Sequence, residues 1–143
     1  MTAVVPLPFT ALRGVEHIAS LSFESRWERT AFASFLTASA ARNRAVFSAS
    51  GELEGYLLTL FAGGNLDIVS IAVLPERRRQ GVAEALLEDL RCSPDVLSST
   101  LEVRADNEPS RRFYEKLGYA LVGTRRRYYD GKNDAAVMRW DRR

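Results

Sequence analysis

The chain has 143 residues, 46% of them hydrophobic, which is enough for one packed domain and too little for two. Its 20 basic and 18 acidic residues leave a formal charge of +2, so composition calls for neither a nucleic-acid nor a membrane-surface partner. A single cysteine, Cys92, excludes an intramolecular disulfide and a cysteine-rich metal site, and points to a reducing compartment.

Residues 1–9 carry two prolines and read as an extended lead-in without the pattern of a targeting segment. Leu12, Val15, Ile18, Ala19 and Ser22 fall at helical spacing within residues 11–23. Ala31, Phe35, Leu36 and Ala38 do so within residues 27–41, predicting two amphipathic helices. Residues 44–49 and 55–61 are strand-like around a Ser50-Gly51 turn. A second turn at residues 62–65 leads into residues 66–73, which completes an antiparallel meander. That third strand is apolar almost without interruption, as a central strand covered on both faces would be. Val82, Ala85, Leu86 and Leu90 form the stripe of the next helix.

In the strand at residues 100–104, Leu101 and Val103 share one face, so Glu102 projects from the other with Thr100 and Arg104. Asn107 fits a helix N-cap, Pro109 the first turn and Gly118 the residue that closes the helix. Residues 119–127 and 135–140 predict a final antiparallel pair around the turn at residues 130–133. No apolar run approaches the roughly 20 residues that span a bilayer, so a soluble, cytoplasmic, single-domain protein over residues 1–143 is expected.

The chemistry concentrates where the apolar strand ending at Ile71, Ala72 and Val73 runs through a basic turn into a helix. Free backbone N–H groups and a positive helix end meet there, which suits a pyrophosphate; a solvated arginine run is the plainer reading. The Lys-Ser/Thr pair of a Walker loop is missing, and Gly81 alone cannot make a dinucleotide fingerprint. What remains is Arg78-Arg79-Gln80-Gly81-Val82-Ala83, of the form Gln/Arg-x-x-Gly-x-Gly/Ala.

With that motif the chain resembles the GNAT acetyltransferases. The segments 101–107 (LEVRADN) and 113–119 (FYEKLGY) look like that family's second block. Residues 125–129 (RRRYY) and 133–138 (NDAAVM) are similar to the end of the RimI-type N-terminal acetyltransferases, and the resemblance spans roughly residues 25–138. It implies an α/β (α+β) GNAT fold with a mixed, mostly antiparallel central sheet flanked by helices. It also implies acetyl-CoA as cosubstrate, no metal, and a protein N-terminus as acceptor. For the RimI type that acceptor is the N-terminal alanine of a small-subunit ribosomal protein; neither nucleic acid nor a membrane is an expected partner.

Carried over residue by residue, the resemblance gives Ile71, Ala72 and Val73 to the pantetheine arm as an added strand. Arg78, Arg79, Gln80, Gly81, Val82 and Ala83 take the pyrophosphate, and Asn107 reaches the cofactor, or simply caps its helix. Glu102 becomes the general base and Tyr114 the general acid, in place of a surface carboxylate and a core-edge aromatic. Tyr128 and Tyr129 line the acceptor groove or pack across strands. Two positions depart from the common pattern, Arg26 where proline is expected and Ala83 where glycine is commoner. A small amine or lysine acceptor, and a non-catalytic acetyl-CoA-binding module, are the competing functional readings.

Overall fold

The computed structural model describes residues 3–22, 32–129 and 133–143, with the backbone alone for residue 32 and residues 127–129. Seven strands form one sheet: β1 (Val5–Pro6), β2 (Arg44–Phe47), β3 (Leu53–Ala62), β4 (Asn65–Val73), β5 (Ser98–Arg104), β6 (Ala120–Tyr129) and β7 (Asn133–Asp141). Their order is β1-β2-β3-β4-β5-β7-β6, and every neighbouring pair is antiparallel except β4 and β5. The mixed, mostly antiparallel sheet and its meander follow the expectation from sequence. Among the described residues the α-helices are α1 (Leu12–Ser22), α2 (Phe32–Thr37), α3 (Val82–Arg91), which crosses between the parallel strands, and α4 (Glu108–Lys116).

Each sheet face carries its own apolar cluster. Val15, Ile18 and Ala19 of α1 pack with Tyr56, Leu58 and Ala72 on one face. Val82, Leu86, Leu87 and Leu90 of α3, with Tyr114 of α4, pack with Leu57, Leu66, Ile68, Val73 and Leu101 on the other. The near-continuous apolar run of β4 is thus accounted for by burial from both sides.

α2 ends at Thr37, short of the helix expected to reach residue 41; the expected start, residues 27–31, lies outside the described residues. The chain beyond Thr37 is drawn to the sheet instead. Phe61 N–H donates to the Ala40 carbonyl at 2.8 Å, Arg42 N–H donates to the Thr59 carbonyl at 3.1 Å, and Ala41 bridges Leu60. Pairing with β3 satisfies backbone groups that another helical turn would otherwise use.

Tyr119 also departs from its expected role at the head of a strand. Its N–H donates to the Tyr114 carbonyl and that of Gly118 to the Glu115 carbonyl, both at 3.0 Å, with Gly118 left-handed at φ +95°. This is a Schellman closure of α4, and the accompanying apolar contact is the edge-on pair of Tyr114 and Tyr119, 5.6 Å between ring centres. Arg91 of α3 donates to the neighbouring Leu117 carbonyl at 2.6 Å, and Tyr119 donates to Ser99 Oγ at 2.8 Å. The end of α4 that carries Tyr114 is therefore tied to α3 and β5. Among the described residues, no helix is long and apolar enough to cross a membrane.

Candidate active site

The parallel ladder between β4 and β5 has only three rungs, Asn65–Ser98, Leu66–Ser99 and Asp67–Thr100. Beyond them β4 follows β3 and β5 follows β7, so the sheet splits from Ile68 and Leu101 onwards. A bulge marks the divergence: Thr59 faces Ile68 while Leu58 faces Ser70, leaving Val69 as the extra residue. The bulge also resets the alternation, placing Leu66, Ile68, Ile71 and Val73 together in the α3 cluster. Leu74 N–H donates to the Glu54 carbonyl at 2.8 Å. Antiparallel alternation then directs the backbone groups of Ala72 to β3 and those of Ile71 and Val73 into the split. Of the three strand residues proposed from sequence, two thus present their backbone to the gap.

At the far end of β4 the chain turns through a 3₁₀ turn, Pro75–Arg77, into α3. Arg79 (φ +62°) and Gly81 (φ +82°) are both left-handed, a geometry that aims successive N–H groups inwards and suits glycine better than arginine. Gly81 occupies the N-cap without a side-chain cap, and the first backbone bond into the helix runs from Ala85 N–H to the Gly81 carbonyl at 3.0 Å. The opening N–H groups of α3 therefore face outwards with the positive end of the helix.

Side chains brace this turn. Arg77 binds Glu54 at 2.5 Å and Gln80 Oε1 at 3.2 Å, and Gln80 donates to the Glu76 carbonyl at 3.0 Å. Arg78 donates to the Val73 carbonyl and to Ser22 Oγ, both at 3.1 Å. Gln80 and Arg78 thus build the turn with their side chains, leaving backbone N–H groups and Arg79 as its outward donors. A Cβ on Gly55 would come within 2.9 Å of Val82 Cγ1, the first residue of α3. Gly55→Ala is expected to displace that helix end and cost about 1–3 kcal/mol of stability. It should also weaken binding of a pyrophosphate-bearing ligand, which thermal unfolding and titration calorimetry would show together.

Glu102 and Tyr114 approach the split from opposite faces of the sheet. The Glu102 side chain, 24% exposed, lies on the α1 face and pairs with Arg125 Nε at 3.1 Å. Tyr114, 7% exposed, belongs to the cluster on the α3 face that includes Ile68 and Leu101, the first residues past the last rung. The Schellman closure and the Phe113 ring, 5.1 Å away, help hold it there. Asn107 accepts from Ser110 N–H at 3.3 Å and so fills the cap role.

One residue of the site carried no sequence signal. Asp67 stands on the last rung, on the same face as Glu102, and Thr100 Oγ1 donates to it at 3.4 Å. The residue is exposed, but the strands around its carboxyl partly desolvate it, and that raises its pKa from the ordinary aspartate value. The Thr100 bond opposes that rise, the Glu102 charge adds to it, and Arg125 acts against it. A lone aspartate in an apolar run reads as a surface residue until the split places it at the mouth.

The backbone of Tyr128 and Tyr129 belongs to β6, but their side chains, like Arg26, lie outside the described residues. His17 is exposed on α1 and Cys92 is exposed at the end of α3. Among the described residues no group of three or more His, Cys, Asp or Glu side chains could hold a metal.

Residues 12–119 match the model of the acetyltransferase (GNAT) family. The chain is 31% identical to the ribosomal protein bS18-alanine N-acetyltransferase of Escherichia coli, over 96% of each chain. It is 29% identical to a putative ribosomal protein bS18-alanine N-acetyltransferase of Bacillus subtilis, over 90% of this chain and 89% of that one. The crystal structure of the Escherichia coli ribosomal-protein-S18-alanine N-acetyltransferase superposes with a TM-score of 0.87 at 30% identity, covering 99% of this chain and 94% of that one.

Proposed function

The chain belongs to the GNAT family of acetyl-CoA-dependent N-acetyltransferases, and from that premise we propose that it acetylates the α-amino group of a protein N-terminus, an alanine of a small-subunit ribosomal protein. The observation that carries the acceptor assignment is the nearly full-length similarity to the Escherichia coli S18-alanine enzyme. The split sheet supports the chemistry. Its exposed β4 edge suits the amides of a pantetheine arm, and the uncapped start of α3 suits a pyrophosphate. Acetyl-CoA, when bound, supplies an activated acetyl group as a thioester.

Ile71 would hold the arm through its backbone and Val73 through its N–H, the Val73 carbonyl being taken by Arg78 at 3.1 Å. Arg79 and the N–H groups of residues 79–83 would hold the pyrophosphate, while Arg78 and Gln80 keep the turn in shape. The Nδ2 group of Asn107 is the part of that side chain suited to the cofactor. Glu102 takes a proton from the incoming ammonium, which then attacks as a neutral amine. The new N–C bond forms as the C–S bond breaks. Glu102 passes that first proton on to solvent, Tyr114 supplies a proton to the departing sulfur, and the second proton lost by the nitrogen returns through water to the Tyr114 oxygen, so one proton is released per acetyl group transferred. A model α-amine pKa of about 7.7–8.0 leaves the base only a modest proton to remove, so much of the rate comes from alignment.

Tyr128 and Tyr129 are proposed to line the path of the acceptor peptide. Kinetics on peptides with free and blocked N-termini, alongside polyamines and free lysine, test the assignment. Free α-amino peptides should give the highest kcat/KM; preference for a polyamine or a lysine side chain would overturn it.

A further inference from the structure

A run of hydrogen bonds leads along the β4–β5 ladder to the mouth of the split. Ser98 Oγ donates to Asn65 Oδ1 at 2.8 Å, Asn65 Nδ2 donates to Thr100 Oγ1 at 3.1 Å, and Thr100 Oγ1 donates to Asp67 Oδ1 at 3.4 Å. Each donor points towards Asp67, and the last and longest contact turns one carboxylate oxygen towards Thr100. No donor among the described residues meets the other oxygen, and Asp67 is exposed. This oxygen lies where β4 and β5 part, on the face that carries Glu102.

We infer that Asp67 is a positioning residue for the acceptor: its carboxylate receives an N–H of the substrate ammonium beside Glu102 and holds the nitrogen at the mouth of the split. The inference rests on the reading that the amine enters on the Glu102 face. It divides the work between two carboxylates, one that binds the ammonium and one that removes its proton. Among the described residues, the charged groups acting on Asp67 are Glu102 on β5 and Arg125 on β6, while Arg104, further along the same face of β5, is paired with Asp106 at 3.2 Å. Arg139 on β7 shares the face and is paired with Asp141 at 3.0 Å. Its neighbours on β3, Leu60 and Thr59, are uncharged.

Steady-state kinetics of Asp67→Asn across a pH series test this. At neutral pH the variant should raise KM for the acceptor about tenfold, the effect of one charge-assisted hydrogen bond, with KM for acetyl-CoA unchanged. Asparagine matches the charge of a protonated aspartate, so the ratio of the two acceptor KM values should fall towards one as pH drops through the titration of Asp67. Asp67→Glu should recover most of the loss. An unchanged acceptor KM in Asp67→Asn, or a ratio that persists at low pH, overturns the inference; a purely structural role predicts the latter. Mapping the acetyl group on the parent's product tests the α-amino assignment independently. If the parent prefers another amine, the same comparison on that amine judges Asp67.

Discussion

Glu102→Gln is expected to lower kcat/KM for an acceptor peptide roughly 10²- to 10³-fold, within the span typical of a lost general base. Glutamine keeps the length of the side chain and an oxygen to accept from Arg125, which pairs with Glu102 at 3.1 Å. The split, the turn into α3 and the Tyr114 side should therefore be undisturbed, and acetyl-CoA affinity measured by calorimetry should stay within about twofold, since no group proposed to bind it is removed. Raising the pH distinguishes base catalysis from other uses of the carboxylate. Above about pH 9 most of a model α-amine is already neutral, so the deficit of the variant should shrink there. A deficit of constant size across that range would assign Glu102 to binding or structure.

Tyr114→Phe is the second large effect, an expected fall in kcat of about 10²-fold with little change in either KM. The substitution removes one oxygen from a residue that is 7% exposed and keeps the ring, with its edge-on contacts to Phe113 and Tyr119 at 5.1 and 5.6 Å between centres. The Schellman closure uses only the Tyr114 backbone and is unaffected. If the hydroxyl protonates the departing sulfur, a donor thioester built on a more acidic thiol needs that proton less and should lose less rate. Equal losses with both donors would remove Tyr114 from the leaving-group role.

Local signals in the sequence were sufficient for much of the frame. Apolar periodicity marks α1 and α3, Asn107 and Gly118 bracket α4, and the alternation of Leu101, Glu102 and Val103 sets the carboxylate opposite the core. What stayed hidden depends on partners distant in sequence. The Val69 bulge exists only through pairing with β3, and an apolar run buried on both faces has no alternation to betray it. The split follows from that divergence, and the role of Asp67 follows from the split. The end of α2 was likewise decided by β3 drawing in Ala40 and Ala41, and Tyr119 by a closure that ties it back to Tyr114. Arg78 and Gln80 matched a phosphate motif by residue type, yet their side chains hold the turn together.

The most direct test of the whole account is mass spectrometry of a ribosomal-protein N-terminal peptide that begins with alanine and carries an internal lysine, incubated with the protein and acetyl-CoA. One acetyl group placed by fragmentation on the alanine nitrogen, and none on the same peptide with a blocked N-terminus, is the predicted result. Acetylation of the internal lysine in both peptides, with the free α-amine left unmodified, would contradict it.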